Sequence, residues 1–121
     1  MRETQLTTNF KREINAKCKQ AGLPCFWYKI PDTKGLGGLR PFDGVLWLAG
    51  KTFAIEFKVG KNTTKPHQKF CLEQVKKTGN HSIVIRETDY KEVIDDIVKK
   101  ACSARAIMTN YGNSYKNFKK T

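Results

Sequence analysis

The chain has 121 residues, enough for one domain with a single core, and its 23 Lys and Arg against 11 Asp and Glu give a net charge of +12. This charge favours a polyanionic partner, chiefly nucleic acid, over a basic surface kept only for solubility. The sequence also argues against a signal peptide, a membrane-spanning helix, a disulfide framework and a zinc site, and it predicts a cytoplasmic protein.

The first predicted elements are a helix and a strand. Four apolar residues recur at every fourth position and predict an amphipathic helix over residues 4–21: Leu6, Phe10, Ile14 and Cys18. Gly22 follows this helix at the position where a left-handed residue usually ends one. The aromatic run over residues 25–30 predicts a strand. The loop "PDTKGLGGLRP" comes next, with three glycines and two cations.

The remaining elements follow from turn residues and periodicity. Residues 41–58 predict two strands joined at Ala49 and Gly50, and residues 64–79 predict a helix with Pro66 in its first turn. A strand over 81–86, an amphipathic helix over 88–101 and a basic aromatic tail over 102–121 complete the chain. The order α-β-β-β-α-β-α predicts an α/β fold, a single-domain mixed β-sheet flanked by helices.

The hairpin brings two acids together. If Ala49 and Gly50 form a two-residue turn, counting outward along both strands places Asp43 opposite Glu56, with Cβ atoms about 5 Å apart. Strand alternation puts Glu56 and Lys58 on the face opposite the apolar Phe57 and its alternate neighbours. Opposed like charges weaken a hairpin unless a cation lies between them. An edge hairpin with exposed ion pairs would explain the same residues without any site.

The opposed acids predict a site for a hard divalent cation, Mg²⁺ or Mn²⁺, with the Phe57 carbonyl as a possible backbone ligand. Such an ion lowers the pKa of a bound water and neutralises phosphate charge. Lys58, on the same strand face as Glu56, can orient that water or stabilise the transition state. These groups together are typical of phosphodiester hydrolysis.

At these residues the chain resembles the PD-(D/E)xK nuclease superfamily, whose mark is an acid, a hairpin-length gap and then Glu-x-Lys. The segments "FKREINAKCKQAGLPCFWYKIPD" and "RPFDGV…AIEFK…KPHQ" resemble RecU-type Holliday junction resolvases and their phage relatives. The resemblance implies a restriction-endonuclease-like core and a Mg²⁺- or Mn²⁺-dependent DNA endonuclease. It also implies a homodimer that acts on branched DNA such as four-way junctions.

The resemblance assigns roles to individual residues. It makes Asp43 and Glu56 metal ligands, Lys58 the catalytic lysine and Gln68 a glutamine that supports the site. It places a further acid on the first helix, which completes the metal shell. Glu13 is our preferred match because it borders the buried stripe of that helix, and Glu3 at the helix start is the alternative. Asp32 spells the "PD" of the family name, but it cannot pair with Glu56 across the hairpin.

Basic residues around the predicted site are candidates for contacts with DNA phosphates. Two of them, Lys34 and Arg40, lie on the glycine-rich loop, which we expect to be a DNA-contacting flap or a plain connection. The other four flank the acids: Lys29, Lys61, Lys65 and His67. A DNA-binding module without catalysis and a restriction or repair nuclease of the same fold are the alternatives to a junction resolvase. A monomer with a disordered tail is the alternative to the homodimer.

Overall fold

The computed structural model describes residues 1–32 and 39–103, so that Lys34, most of the glycine-rich loop and residues 104–121 of the predicted tail lie outside the described residues. The described elements are α1 (Glu3–Ala21), β1 (Cys25–Lys29), β2 (Gly44–Leu48), β3 (Lys51–Lys58), α2 (Pro66–Lys77), β4 (His81–Arg86) and α3 (90–103). In these ranges no helix is both long enough and apolar enough to cross a membrane.

The four strands form one mixed sheet in the order β1-β2-β3-β4. The β1–β2 and β2–β3 pairs are antiparallel, and β3–β4 is parallel. With helices against this sheet, the predicted α/β architecture is confirmed. The β2–β3 register is also as predicted: Leu48 pairs with Lys51, and the pairing continues outward to Gly44 and Ile55.

The turn between β2 and β3 has both central residues in the left-handed region. Ala49 has a φ of 49° and Gly50 a φ of 85°. This conformation matches the right-handed twist of the two strands, which is why hairpins favour it. Glycine adopts it without cost, whereas the Cβ of an alanine is strained there. The two-residue turn fixes which side chains of β2 and β3 lie opposite each other.

The larger core lies on one face of the sheet. Phe53, Ile55 and Phe57 of β3 are fully buried there, as the alternation predicts. The four apolar residues of the α1 stripe and Ile94 and Ile97 of α3 pack into the same cluster. The ring of Phe10 meets those of Trp27 and Phe57 edge-on, each at a centroid distance of 5.3 Å. This packing fixes α1 against β1 and β3.

The opposite face of β3 is also buried. Ala54, Glu56 and Lys58 lie on it, and each is less than a tenth exposed. β4 pairs with β3 on its free side, α2 packs against β4, and the buried Gln68 of α2 contacts Glu56 on this face. The edge-hairpin alternative, with exposed ion pairs, is therefore wrong, because β3 is an interior strand. A carboxylate and an ammonium group lie where a core would normally be apolar.

Gly44, which directly follows Asp43, holds β2 close to β1. A Cβ at this position would lie 2.4 Å from Cη2 of Trp27 and 2.6 Å from the carbonyl oxygen of Tyr28. Neither a packed indole nor a backbone carbonyl can retreat far enough to admit that atom. Glycine therefore allows the indole of Trp27 to pack against the first residue of β2, and this contact fixes the chain that carries Asp43.

Candidate metal centre

The end of the β2–β3 hairpin places two acids side by side. Asp43 lies one residue before β2, where the register extends to Glu56. Both side chains are buried, with 3% of Asp43 and 1% of Glu56 exposed. Oδ2 of Asp43 accepts a hydrogen bond of 2.7 Å from the backbone N–H of Phe57. This bond closes the hairpin beyond its last ladder pair and holds the Asp43 carboxylate beside β3.

A third acid comes from the first turn of α1. Carboxylate oxygens of Glu3, Asp43 and Glu56 all lie within 4.8 Å of one another. Our preference for Glu13 as the helix acid is wrong. It lies ten residues further along α1, which corresponds to about 15 Å along the helix axis. The alternative that we considered, Glu3, is the acid that joins the cluster.

Two cations partly balance the acids. Nη2 of Arg40 lies 2.7 Å from Oδ1 of Asp43, and Nη1 of Arg40 donates to the carbonyl of Ile30 at 3.2 Å. Nζ of Lys58 lies 3.4 Å from Oε1 of Glu56. Arg40 was predicted to contact DNA from a flap, whereas its guanidinium contacts a buried carboxylate. It therefore contributes positive charge within the acid cluster itself.

Gln68 links the cluster to the start of α2. Its Nε2 donates a hydrogen bond of 2.9 Å to Oε1 of Glu56. Its Oε1 accepts one of 3.1 Å from the backbone N–H of Lys65, the residue before the helix. The glutamine that the resemblance implies thus contacts a predicted ligand directly. Because the amide also caps α2, its orientation and that of the Glu56 carboxylate are fixed together.

One oxygen of the cluster has no partner within the described chain. Oε2 of Glu56 is buried and makes no hydrogen bond there, while Oε1 accepts from Gln68. An unpaired carboxylate oxygen in a buried place costs free energy. A divalent cation held by Glu3, Asp43 and Glu56 would supply the missing partner, and oxygen ligands of this kind suit Mg²⁺ or Mn²⁺. The residues present therefore fit the predicted metal.

The electrostatics of the acids point the same way. Burial, followed by the charge of the Asp43 carboxylate, raises the pKa of Glu56 to about 7 against the opposing effect of Lys58. Burial, followed by the Asp43 charge, also raises the pKa of Glu3. Without a metal, the cluster thus resists full ionisation. A divalent cation would favour the ionised forms and remove the repulsion between them.

A cavity of about 570 Å³ opens beside Glu56. Its walls combine acids, cations and small polar groups: Glu3, Arg40, Glu56, Lys58, Lys61, Asn62, Thr63, Lys65 and Gln68. The loop that carries its basic wall is tied to β4, because Arg86 donates to the carbonyls of Gly60 at 3.4 Å and Asn62 at 2.8 Å. Glu87 accepts from the backbone N–H of Gly60 at 2.9 Å. Anionic groups bound here would lie between lysines and the acid cluster.

Comparisons with protein-family models, curated proteins and solved structures find no match for this chain. The resemblance to the nuclease superfamily therefore stays a prediction.

The other predicted DNA contacts fall into separate places. Lys29 is exposed and lines a second cavity, of about 440 Å³, together with Asp43 and Arg40. Asp32 lines this second cavity too. His67 is half-buried on α2 and is not among the lining residues of either cavity. Lys61 and Lys65 thus line one cavity beside the acids, and Lys29 lines the other.

The Phe57 carbonyl stays a predicted ligand. The N–H of Phe57 is directed towards Asp43. In a strand, the N–H and C=O of one residue point to the same side, as the paired bonds of an antiparallel ladder require. We therefore expect this carbonyl to point towards the same end of the hairpin as the Asp43 carboxylate.

Two features of the site were not predicted from the sequence. Arg40 precedes Asp43 by three residues, and this i,i+3 spacing of opposite charges was a signal for their ion pair. Gly44 follows Asp43, and a glycine at the start of a strand signals a close approach of two backbones. By contrast, the loop bonds of Arg86 depend on the parallel β3–β4 pairing and have no local sequence signal.

Proposed function

We propose that this chain is a Mg²⁺- or Mn²⁺-dependent DNA endonuclease that hydrolyses phosphodiester bonds. The observation that supports the proposal most strongly is the cluster of the half-buried Glu3 with the buried Asp43 and Glu56, with oxygens within 4.8 Å and one oxygen of Glu56 unpaired. Lys58 lies beside it at 3.4 Å from Glu56. An acid cluster with an adjacent lysine on the wall of an open, basic cavity suits a phosphate ester as substrate.

Each side chain has a role in this proposal. A bound divalent ion would activate water and neutralise charge on the scissile phosphate. Glu3, Asp43 and Glu56 would hold that ion, and Gln68 would fix the Glu56 carboxylate through its 2.9 Å hydrogen bond. The Lys58 ammonium lines the cavity and would donate a hydrogen bond to a non-bridging phosphate oxygen, where negative charge increases in the transition state.

The basic residues supply affinity for the DNA backbone. Lys61 and Lys65 on the wall of the larger cavity, and Lys29 on that of the smaller one, would contact phosphates on the two sides of the cleaved bond. The net charge of +12 provides the long-range attraction. The resemblance to junction resolvases favours branched DNA, two nicks about a two-fold axis and hence a homodimer. An intracellular location is part of the same proposal.

A cleavage panel tests the function. Linear duplex, flap, single-stranded and four-way junction DNA are incubated with Mg²⁺, Mn²⁺ or EDTA, and the products are separated on denaturing gels. We expect cleavage that depends on the ion, and Asp43→Asn or Lys58→Ala should lower the rate by a factor of about 10² or more. Glu13→Gln, on α1 but away from the cluster, is the matched control and should cut like the wild type.

Each alternative has its own outcome in this panel. If the protein binds DNA but cuts it with neither ion, the chain would be a DNA-binding module and not a nuclease. If sedimentation shows a monomer, and that monomer cuts linear duplex as fast as the junction, the nuclease proposal would stand. The resolvase and the dimer would then be excluded. Full activity of Asp43→Asn would refute the metal centre itself.

A further inference from the structure

Three aromatic side chains lie exposed on the sheet, and we call them the aromatic patch: Phe26 and Tyr28 of β1 and Trp47 of β2. Their exposed fractions are 59%, 45% and 43%. The rings of Phe26 and Trp47, a register pair, stack at a centroid distance of 5.6 Å with 12° between their planes. Tyr28 is tilted against Phe26 at 6.5 Å. Neighbouring rings present flat apolar surface to solvent, although such side chains are normally buried.

The aromatic patch is on the same face of the sheet as the acid cluster. Trp47 pairs with Thr52, and Thr52 shares its strand face with Glu56. Tyr28 pairs with Val45, two residues along the chain from Asp43, which corresponds to about 7 Å at the rise of a strand. Trp47 is four residues from Asp43, or about 13 Å. The aromatic rings therefore continue from the acids along β1 and β2, on the half of the sheet away from β4.

The size of the aromatic patch argues against a second copy of the chain as its partner. Fully exposed side chains of these types offer about 150–250 Å² each, so the exposed fractions leave about 300 Å² in total. A stable protein interface needs about 800 Å² from each partner.

The base of an unpaired nucleotide fits the aromatic patch better. A base is flat and stacks on aromatic rings whatever its identity, while its phosphate is attracted to the basic protein. Bases inside a duplex are already stacked and are not available for such a contact. A groove of about 360 Å³ adjoins Phe26 and Trp47 and is also lined by Lys51, which supplies a cation beside the rings.

We propose that the aromatic patch binds unpaired bases of a DNA strand by stacking and so leads that strand to the acid cluster. This inference rests on the proposed function for its choice of nucleic acid, and it narrows the substrate to DNA that has unpaired bases next to the cleaved bond. Tyr28 would contact the base nearer to the acid cluster, and the stacked pair of Phe26 and Trp47 would contact the next base outwards. Flaps, single strands and opened junctions offer such bases, and a continuous duplex does not.

The test measures binding without metal, so that cutting plays no part. Fluorescence anisotropy in EDTA compares a single strand of about 15 thymidines with a duplex of the same length. Phe26→Ala and Trp47→Ala should each weaken binding of the single strand by about tenfold, and binding of the duplex by less than twofold. Trp47→Phe, which keeps an aromatic ring, should restore most of the affinity.

Phe70→Ala is the matched control. Phe70 is 63% exposed on α2, two positions from the inward-facing Gln68, and so points away from the sheet. The Phe70→Ala substitution removes an exposed phenyl ring like that of Phe26 and should leave the affinities for the single strand and for the duplex unchanged. Circular dichroism and the melting temperature establish that each variant is folded. The wild type gives a second readout, because single-stranded DNA should quench the emission of the exposed Trp47 and not that of the buried Trp27.

Several results would overturn the proposal. Equal losses for single strand and duplex, or none for either, would exclude stacking at the aromatic patch. Absence of Trp47 quenching in the wild type would do so even if the alanine variants failed to fold. A wild-type dimer that Phe26→Ala dissociates, with unchanged affinity for the single strand, would make the patch an interface between copies. None of these results depends on DNA cleavage. Failure of the proposed nuclease activity would be seen separately, as the absence of cleavage in the panel of DNA substrates.

Discussion

Replacing Glu56 by glutamine tests the electrostatics of the acid cluster without DNA. Glutamine has the same shape, and its carbonyl can still accept from Gln68 as Oε1 of Glu56 does. Its NH₂ group takes the position of the unpaired Oε2, where it can donate to the Asp43 carboxylate. The substitution therefore removes one buried charge, places a hydrogen-bond donor where Oε2 had no partner, and leaves the packing intact.

The pKa of Glu56 sets the size and sign of the effect. Folding raises this pKa from its ordinary value of 4.5 to about 7, chiefly through burial. Because the folded-state pKa is the higher one, the stabilisation from the protonated carboxyl is complete below about pH 4.5 and is lost as the pH rises through about 7. A shift of this size corresponds to about 3 kcal/mol of unfolding free energy. Metal-free Glu56→Gln should therefore match the wild type near pH 4 and be more stable by up to about 3 kcal/mol at pH 8.

Urea denaturation in EDTA, at several pH values from 4 to 8, measures this difference. Acids that lie away from Glu56 titrate in the same range, but their contributions cancel when the variant is compared with the wild type at each pH. Mg²⁺ should then reverse the order at pH 8, because it stabilises only the protein that keeps the Glu56 carboxylate. A variant that is less stable than the metal-free wild type at pH 8, or a difference that does not change with pH, would refute the reasoning.

Three further predictions concern other parts of the chain. Mg²⁺ should raise the melting temperature of Glu13→Gln as much as that of the wild type but that of Glu3→Gln by less, and equal shifts would contradict the assignment of Glu3. Ala49→Gly should raise the unfolding free energy by about 1 kcal/mol in urea denaturation, because it relieves the left-handed φ of 49°; a loss of stability would contradict the strain. DNA affinity should fall steeply with salt, with a log–log slope of several units if about five or more phosphates are neutralised, and a flat profile would exclude the basic surface as the binding face.

The hairpin could be predicted because its information is local. A two-residue turn at Ala49 and Gly50 fixes the register, and strand alternation then fixes the face on which each side chain lies. Asp43 and Glu56 followed from counting alone. The apolar face of Phe57 followed from the same alternation.

The acid from α1 could not be selected in this way. The periodicity of the helix identifies its buried stripe, but it does not say where along the helix axis the sheet ends. Glu13 borders the stripe, whereas Glu3 lies at the end of the helix that reaches the hairpin. The burial of Glu56 was also beyond local reasoning, because it depends on β4 pairing with β3 and on Gln68 of α2 reaching the Glu56 carboxylate.

The origin of the three acids in the chain has a consequence for folding kinetics. Asp43 and Glu56 belong to one hairpin, and hairpins form within about 1–10 μs. Glu3 joins them only when α1 has docked on the sheet, which requires a contact between distant parts of the chain. An ion that needs all three carboxylates meets a complete site only late in folding. Mg²⁺ should accordingly lower the unfolding rate much more than it raises the refolding rate. Bound metal would then protect the native chain by raising the kinetic barrier to unfolding.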